Sequence, residues 1–163
     1  MAKISVFFRG GMKTMKKVRV RLFGIWMVAS LFLGATHANA ETAIEVWKSP
    51  TCGCCQGWVD YMQDNGFTVV THNLENLIPV KEQLGLTDRS LYSCHTALVE
   101  GYVIEGHVPV KDIRRLLSER PNVVGLTAPG MPALSPGMGS IEPKDYDVLS
   151  FDAQQNAQIF SQH

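Results

Sequence analysis

The amino-acid sequence predicts an α/β domain in which helices pack on a four-stranded mixed sheet. Two observations carry this prediction. Short runs rich in β-branched residues alternate between apolar and polar side chains, which is typical of half-buried strands. Between these runs, apolar residues recur three and four positions apart, which is typical of helices with one buried face. The order of these runs, β-α-β-α-β-β-α, indicates a single sheet with helices packed on it.

The first unit is a strand, a helix and a second strand. Residues 43–48 alternate in hydrophobicity and predict the first strand. From Cys55 to Asn65 the apolar residues recur at helical spacing, and Gly66 is a stop signal for the helix. Residues 67–71 are rich in β-branched side chains and predict the second strand. Because a helix crosses over between the two strands, they should be parallel.

The second half of the domain completes the sheet. A short helix is predicted over residues 76–84, with Val80 and Leu84 on its apolar side. A hairpin follows, and then a third helix over residues 109–120. The hairpin strands are residues 96–99 and 102–104. This element order favours a thioredoxin-like architecture.

The chain beyond the third helix has a different composition. Residues 128–139 are rich in Pro, Gly and Met and predict an ordered loop. A short edge strand is predicted within residues 145–152, and the polar tail of residues 153–163 is expected to fray. The predicted domain should therefore span residues 41–152 and include the loop of residues 128–139.

The first 40 residues have the layout of a secretory signal peptide. A basic start precedes an uncharged run over residues 22–35, and Ala38-Asn39-Ala40 is a small-x-small cleavage site. The uncharged run is short for a spanning helix, so we expect cleavage after Ala40, and an uncleaved anchor is the alternative. Three candidate start codons precede the run: Met1, Met12 and Met15.

Removal of this segment changes the charge of the chain. Seven of the 15 basic residues lie in the first 40 positions and none of the 15 acidic ones do, so the formal net charge falls from 0 to −7. An acidic surface argues against nucleic-acid binding. The mature chain should be an exported protein with no membrane span, in a compartment where disulfides persist.

Three of the four cysteines are concentrated at one strand-to-helix junction. Cys52 and Cys55 form a Cys-x-x-Cys pair where unpaired N–H groups of the helix favour thiolates. The pair suits disulfide exchange, with both cysteines as redox residues, and also suits metal binding. Cys54 is one sulfur more than a redox dithiol needs, and it would compete in a mixed disulfide. In the predicted fold, Cys94 should face the same turn and bring a fourth thiol.

Ligand softness favours copper for such a site. Thiolates select Cu(I), zinc or iron–sulfur clusters. Zinc is less suitable because the sequence has no second Cys-x-x-Cys knuckle. An iron–sulfur cluster is the other alternative, although the cysteines do not have ferredoxin spacing. Met131 and Met138 lie in two similar Pro-Gly-Met turns and are either soft thioether ligands or core-edge side chains. His95 is either a ligand or a support for one, and His107 either caps the third helix or binds the metal.

Several motifs together resemble the CopG family of exported copper-resistance proteins. They are Lys-Ser-Pro-Thr-Cys-Gly-Cys-Cys at 48–55, Cys-His-Thr-Ala at 94–97, Gly-His-Val-Pro at 106–109, and the Pro-Gly-Met turns at 129–132 and 135–138. The resemblance covers about residues 44–151. It implies a thioredoxin-like fold, a periplasmic location beside copper efflux and oxidase systems, and copper held by the four cysteines.

Three functions are consistent with these residues. The leading hypothesis is a periplasmic protein of copper resistance that binds one or several Cu(I) ions at Cys52, Cys54, Cys55 and Cys94 and couples thiol oxidation to Cu(I)/Cu(II) interconversion. The second is a periplasmic thiol–disulfide oxidoreductase in which Cys52 attacks and Cys55 resolves. The third is a copper metallochaperone without turnover.

Overall fold

The computed structural model describes residues 42–140 and 142–163. The predicted signal peptide therefore lies outside the described residues. The elements in chain order are β1 (Thr42–Lys48), α1 (Gly53–Asp64), β2 (Phe67–Asn73), α2 (Ile78–Gln83), a 3₁₀ helix (Arg89–Leu91), β3 (His95–Val99), β4 (Tyr102–Glu105), α3 (Val110–Glu119), β5 (Gly125–Thr127), β6 (Asp147–Phe151) and β7 (Ala157–Gln162). Among the described residues, every helix is too short or too polar to cross a bilayer.

One mixed sheet carries all of these strands, in the order β2-β1-β3-β4-β5-β6-β7. The predicted parallel pairing of β1 with β2 is confirmed, as is the hairpin of β3 and β4. The predicted number of four strands is wrong, because the described residues form seven. β5 has only three residues, too few to show an alternating pattern, and it extends the sheet by pairing in parallel with β4.

Side chains on the two faces of the sheet belong to two separate apolar clusters. Ile104 belongs to the larger cluster, with buried side chains of β1, α1 and α3. Its neighbour Val103 points to the opposite face and packs with Leu86, Leu91 and Phe151. The site described below lies where β1 ends and where β3 and α1 begin.

The C-terminal tail is ordered, contrary to the predicted fraying. β7 pairs antiparallel with β6 and becomes the edge of the sheet. The Arg115 guanidinium lies 3.7 Å from the centroid of the Phe160 ring. The Nε2 atom of His163 lies 2.7 Å from the Asp112 carboxylate on α3. A polar strand of this kind shows no apolar alternation, and its contacts with α3 hold it in place.

The short helix α2 buries a charged residue where the sequence predicts an apolar side. Lys81 is only 3% exposed, and its Nζ lies 2.5 Å from Oε1 of Glu105, which is completely buried. A buried charge is tolerated in a protein interior only when it is paired and hydrogen-bonded. This pair lies directly behind the segment that carries Cys94.

Candidate metal centre

The turn between β1 and α1 presents three sulfur atoms. Cys52 is the N-cap residue of α1, and its Sγ accepts a hydrogen bond from the Cys55 N–H at 3.3 Å. The helix begins at Gly53, slightly earlier than the sequence predicts, so Cys54 and Cys55 lie in its first turn. The unpaired N–H groups and the positive end of the helix dipole therefore face the sulfur atoms.

Two of these cysteines are joined in a disulfide. Cys52 and Cys55 form the bond, whereas Cys54 and Cys94 are free thiols. The Sγ atom of Cys54 lies 3.5 Å from that of Cys52. The turn therefore holds a Cys-x-x-Cys disulfide with a third sulfur in contact with it. Disulfide exchange and metal binding are both chemically available to this arrangement.

Cys94 comes to the same place from a different part of the chain. The antiparallel register of β1 and β3 sets Lys48 opposite His95, so the residue before β3 lies beside the turn after β1. As a result, the Sγ atoms of all four cysteines lie within 4.8 Å of one another. This is the spacing that a metal ion, or several ions sharing bridging thiolates, would require. The four predicted cysteine ligands are thus brought together.

Two histidines extend the site on the side of Cys94. The Sγ atom of Cys94 lies 3.0 Å from Nε2 of His107 and 3.4 Å from Nδ1 of His95. The other ring nitrogen of His107, Nδ1, lies 2.7 Å from the Pro136 carbonyl oxygen, which can only accept a hydrogen bond. Nδ1 must therefore carry the proton, and the lone pair of Nε2 points at Cys94. His107 does not cap α3, because Pro109 occupies the N-cap position without a side-chain hydrogen bond.

His95 is completely buried between aromatic rings. Its ring centroid lies 4.6 Å from that of Trp58 and 5.0 Å from that of His107. Trp58 is itself fixed, since its Nε1 donates to the Val108 carbonyl at 2.9 Å. The Nε2 atom of His95 has no hydrogen-bond partner among the described residues.

Burial favours the uncharged forms of Cys94, His95 and His107. It raises the pKa of Cys94 to about 12, and the nearby Cys54 thiol acts in the same direction. Burial also lowers the pKa of His107, and it lowers that of His95 well below the ordinary value. The site then holds a protonated thiol and two uncharged imidazoles. A cation that binds there must displace the thiol proton, so binding should release protons.

The two histidines predict a pH dependence of stability in the metal-free protein. Because their folded pKa values lie below the ordinary value of about 6.5, the unfolded chain binds more protons below that pH. The contribution of these histidines to the free energy of unfolding should be fully present above about pH 6.5. It should be lost as the pH falls, by up to about 1.4 kcal/mol per pH unit for each histidine. Urea unfolding between pH 7.5 and 5 measures this slope. His107→Gln should flatten it, and an unchanged slope would contradict the assignment.

The loop of residues 128–139 closes over this region. Gly137 has a φ of +87°. A Cβ at this position would lie 2.6 Å from the backbone nitrogen of Trp58 and 2.7 Å from the carbonyl oxygen of Cys54. The loop therefore rests on the first turn of α1. The structure places Met131 beside Cys94 in an open pocket of about 310 Å³, with its side chain 60% exposed. Met138 is half-buried next to Gly137.

Gly137→Ala should destabilise the protein substantially. The left-handed backbone alone would cost about 1–3 kcal/mol, and the overlap with backbone atoms of α1 adds to this loss. Gly139→Ala is a matched control, since Gly139 also has a positive φ but its Cβ would meet nothing within 4 Å. Urea unfolding should show a larger loss for Gly137→Ala, and equal losses would mean that the loop does not press on α1.

Two contacts at the site were not predicted from sequence. They are the Pro136 carbonyl that orients His107 and the buried pair of Lys81 and Glu105 behind Cys94. Glu105 directly follows the predicted strand of residues 102–104, and this position of a charged residue was an available signal. The contact between the His107 and Pro136 motifs depends on tertiary folding and has no local signature.

Comparisons with known proteins agree with the motifs at the site. A family model described as a protein of unknown function, DUF411, matches residues 91–138. Two solved structures of a protein named copper resistance protein CopG, in forms 1 and 2, are each 38% identical to this chain. Form 1 aligns over 76% of this chain and 98% of its own, with a TM-score of 0.69. Form 2 aligns over 75% and 98%, with a TM-score of 0.68. No curated protein sequence matches significantly.

Proposed function

Since this chain belongs to the CopG family of copper resistance proteins, we propose that it binds Cu(I) at its four-cysteine cluster. The observation that carries the proposal is the convergence of four sulfur atoms within 4.8 Å of one another. A redox dithiol needs only two of them. Bridging thiolates let Cu(I) ions share ligands, so the cluster could take more than one ion.

The ligand set supports copper over zinc. Soft thiolates suit Cu(I), and the contiguous Cys54 and Cys55 suit low coordination numbers better than one closed tetrahedron. Nε2 of His107 is aimed at Cys94 and adds an imidazole ligand beside the sulfur atoms. His95 and the thioethers of Met131 and Met138 complete the proposed set of donors. Each thiol that binds copper releases its proton.

The disulfide suggests a redox step for the same site. In this step the thiolates of Cys52 and Cys55 give up two electrons, one to each of two Cu(II) ions. The S–S bond forms, and two Cu(I) ions result. The reverse reaction uses the disulfide as the oxidant of two Cu(I) ions. In this proposal, Cys54 and Cys94 keep copper beside the reacting pair in both states.

Several broader features belong to the same proposal. The chain would be exported to the periplasm with cleavage after Ala40, and residues 41–152 would form a thioredoxin-like domain. Copper efflux or oxidase components are the proposed partners. The cysteine motif at a strand-to-helix junction and the flanking helices support the thioredoxin-like kinship.

One observation favours a second candidate, a thiol–disulfide oxidoreductase. The Cys52–Cys55 disulfide lies at the N-terminus of α1, where a helix dipole stabilises an attacking thiolate. A metallochaperone that carries Cu(I) without turnover is the third candidate. It differs from the first only in lacking the copper redox step.

Copper binding by the reduced protein tests the proposal. Under anaerobic conditions, competition with a chromophoric Cu(I) chelator gives stoichiometry and affinity, and copper K-edge absorption gives the ligand type. We expect at least one sulfur-ligated Cu(I) per chain. Cys54→Ser retains the Cys52–Cys55 pair and serves as the matched variant: it should weaken copper binding. Retention of zinc alone, or of no metal, together with insulin reduction that survives Cys54→Ser, would favour the oxidoreductase instead.

A further inference from the structure

The residue before Cys94 is fixed by the buried pair of Lys81 and Glu105. The Ser93 N–H donates to Oε1 of Glu105 at 2.5 Å, and the Ser93 carbonyl accepts from Nζ of Lys81 at 3.3 Å. Ser93 precedes β3, and Cys94 lies in a bend outside the strand. The charged pair therefore supplies hydrogen bonds to the backbone where the β3 ladder does not.

The pair is part of a closed network. Nζ of Lys81 also donates to Oγ1 of Thr96 at 2.8 Å, and that hydroxyl donates to Oε2 of Glu105 at 2.7 Å. Thr96 and Glu105 are directly opposite in the register of β3 and β4. Burial raises the pKa of Glu105, and the Lys81 charge acts against that rise. A network with all of these partners satisfied holds one geometry.

This network and the thiol cluster lie on opposite faces of the sheet. Successive residues of a strand point to opposite faces, so Thr96 faces α2 whereas His95 faces α1 and packs on Trp58. Ser93 joins the two faces. Its Oγ also donates to the Gly130 carbonyl, and the Gly130 N–H donates to the Tyr92 carbonyl at 3.0 Å. The network thus fixes the backbone immediately before Cys94, and Ser93 connects it to the loop of residues 128–139.

We propose that Lys81 and Glu105 are positioning residues that hold Cys94 in place for copper binding through the two peptide groups of Ser93. The inference rests on the proposed function of the thiol cluster. Neither side chain touches the sulfur atoms, so both act through the backbone. An alternative role in stability alone would leave the geometry of Cys94 unaffected when the pair is replaced by a neutral one.

Two double variants separate positioning from charge. Lys81→Met with Glu105→Leu removes the pair and both of its hydrogen bonds to the Ser93 backbone. Lys81→Met with Glu105→Gln removes the same charges but keeps an oxygen that can accept from the Ser93 N–H. Arg120→Met with Glu100→Leu removes an ion pair at the surface, outside this network, and is the matched control. Thermal unfolding establishes that each variant is folded.

We call Lys81→Met with Glu105→Gln the Gln variant and Lys81→Met with Glu105→Leu the Leu variant. Cu(I) affinity should be highest in wild type, lower in the Gln variant and lowest in the Leu variant. The Leu variant should lose roughly 10–100-fold, as for other residues that support a ligand, and the control should match wild type. If the Leu variant does not fold, the Gln variant decides the question, since it still lacks the donor to the Ser93 carbonyl. Affinities equal to wild type in the folded variants would overturn the proposal.

A metal-independent measurement keeps this test distinct from that of the proposed function. Alkylation of the reduced protein by iodoacetamide, followed by mass spectrometry, reports Cys94 and Cys54 separately. The variants should change the rate at Cys94, most in the Leu variant, and leave the rate at Cys54 unchanged. Unaltered rates at Cys94 would overturn the positioning role. Failure of the wild-type protein to bind copper would overturn the proposed function alone.

Discussion

Replacing Cys94 with serine should lower the affinity for Cu(I) by more than about a hundredfold, because loss of a residue that merely supports a ligand already costs roughly 10–100-fold. Cys94 is the only sulfur of the cluster that comes from outside the turn of residues 52–55. It is also the sulfur that lies 3.0 Å from Nε2 of His107. A hydroxyl is a harder and poorer ligand for Cu(I) than a thiolate. Chelator competition on the reduced protein measures the loss.

A second serine variant, which should also weaken copper binding, provides a comparison within the same cluster. Cys54→Ser removes one sulfur from the turn but leaves Cys94 and its contact with His107 intact. Both variants should unfold at nearly the temperature of wild type, since neither creates a large cavity. If Cys94→Ser bound copper as tightly as wild type, the turn alone would be the site. The proposed four-thiol cluster would then be wrong.

Glu105→Leu should reduce the free energy of unfolding by about 3–5 kcal/mol, because it leaves the buried Lys81 ammonium without its charged partner. Breaking a buried pair from one side is far more harmful than removing both charges. The double variant Lys81→Met with Glu105→Leu should therefore be more stable than the single one. Urea unfolding of wild type, Lys81→Met, Glu105→Leu and the double variant completes the cycle and gives the coupling free energy of the pair.

An exposed ion pair is the control for that prediction. Arg120 contacts Glu100 at the surface, where the two side chains are 52% and 40% exposed. Exposed pairs contribute about 0–1 kcal/mol, so Glu100→Gln should have a small effect. A loss at Glu105→Leu no larger than this would show that Lys81 finds water or another partner. The network would then be less rigid than its hydrogen bonds suggest.

Elements with a strong hydrophobic pattern could be predicted from sequence, and those without one could not. β1, α1 and β2 follow each other with clear periodicity, and their parallel arrangement follows from the crossover. β5 is too short for a pattern, and β7 is polar. Both strands form because they make backbone hydrogen bonds with neighbouring strands, β5 with β4 and β7 with β6. Lys81 similarly contradicts the expected apolar side of α2, because its partner Glu105 comes from β4.

The same distinction applies to the candidate site. The spacing of Cys52, Cys54 and Cys55 placed them on one turn, and the order of strands placed Cys94 beside them. The orientation of His107 depends on a carbonyl 29 residues further along the chain. No local pattern encodes that contact. Whether a half-buried methionine or an imidazole completes the ligand set depends on such long-range contacts.

The unpartnered Nε2 of His95 has a consequence for how this protein could be engineered. An unsatisfied polar atom in the interior typically costs about 1–3 kcal/mol. Screening a library for heat resistance alone should therefore enrich apolar replacements at this position, whereas screening for survival in copper should preserve the imidazole. Thermal stability and the proposed copper binding would then place opposite demands on the His95 side chain. Thermostabilised variants should therefore be sequenced at this position first.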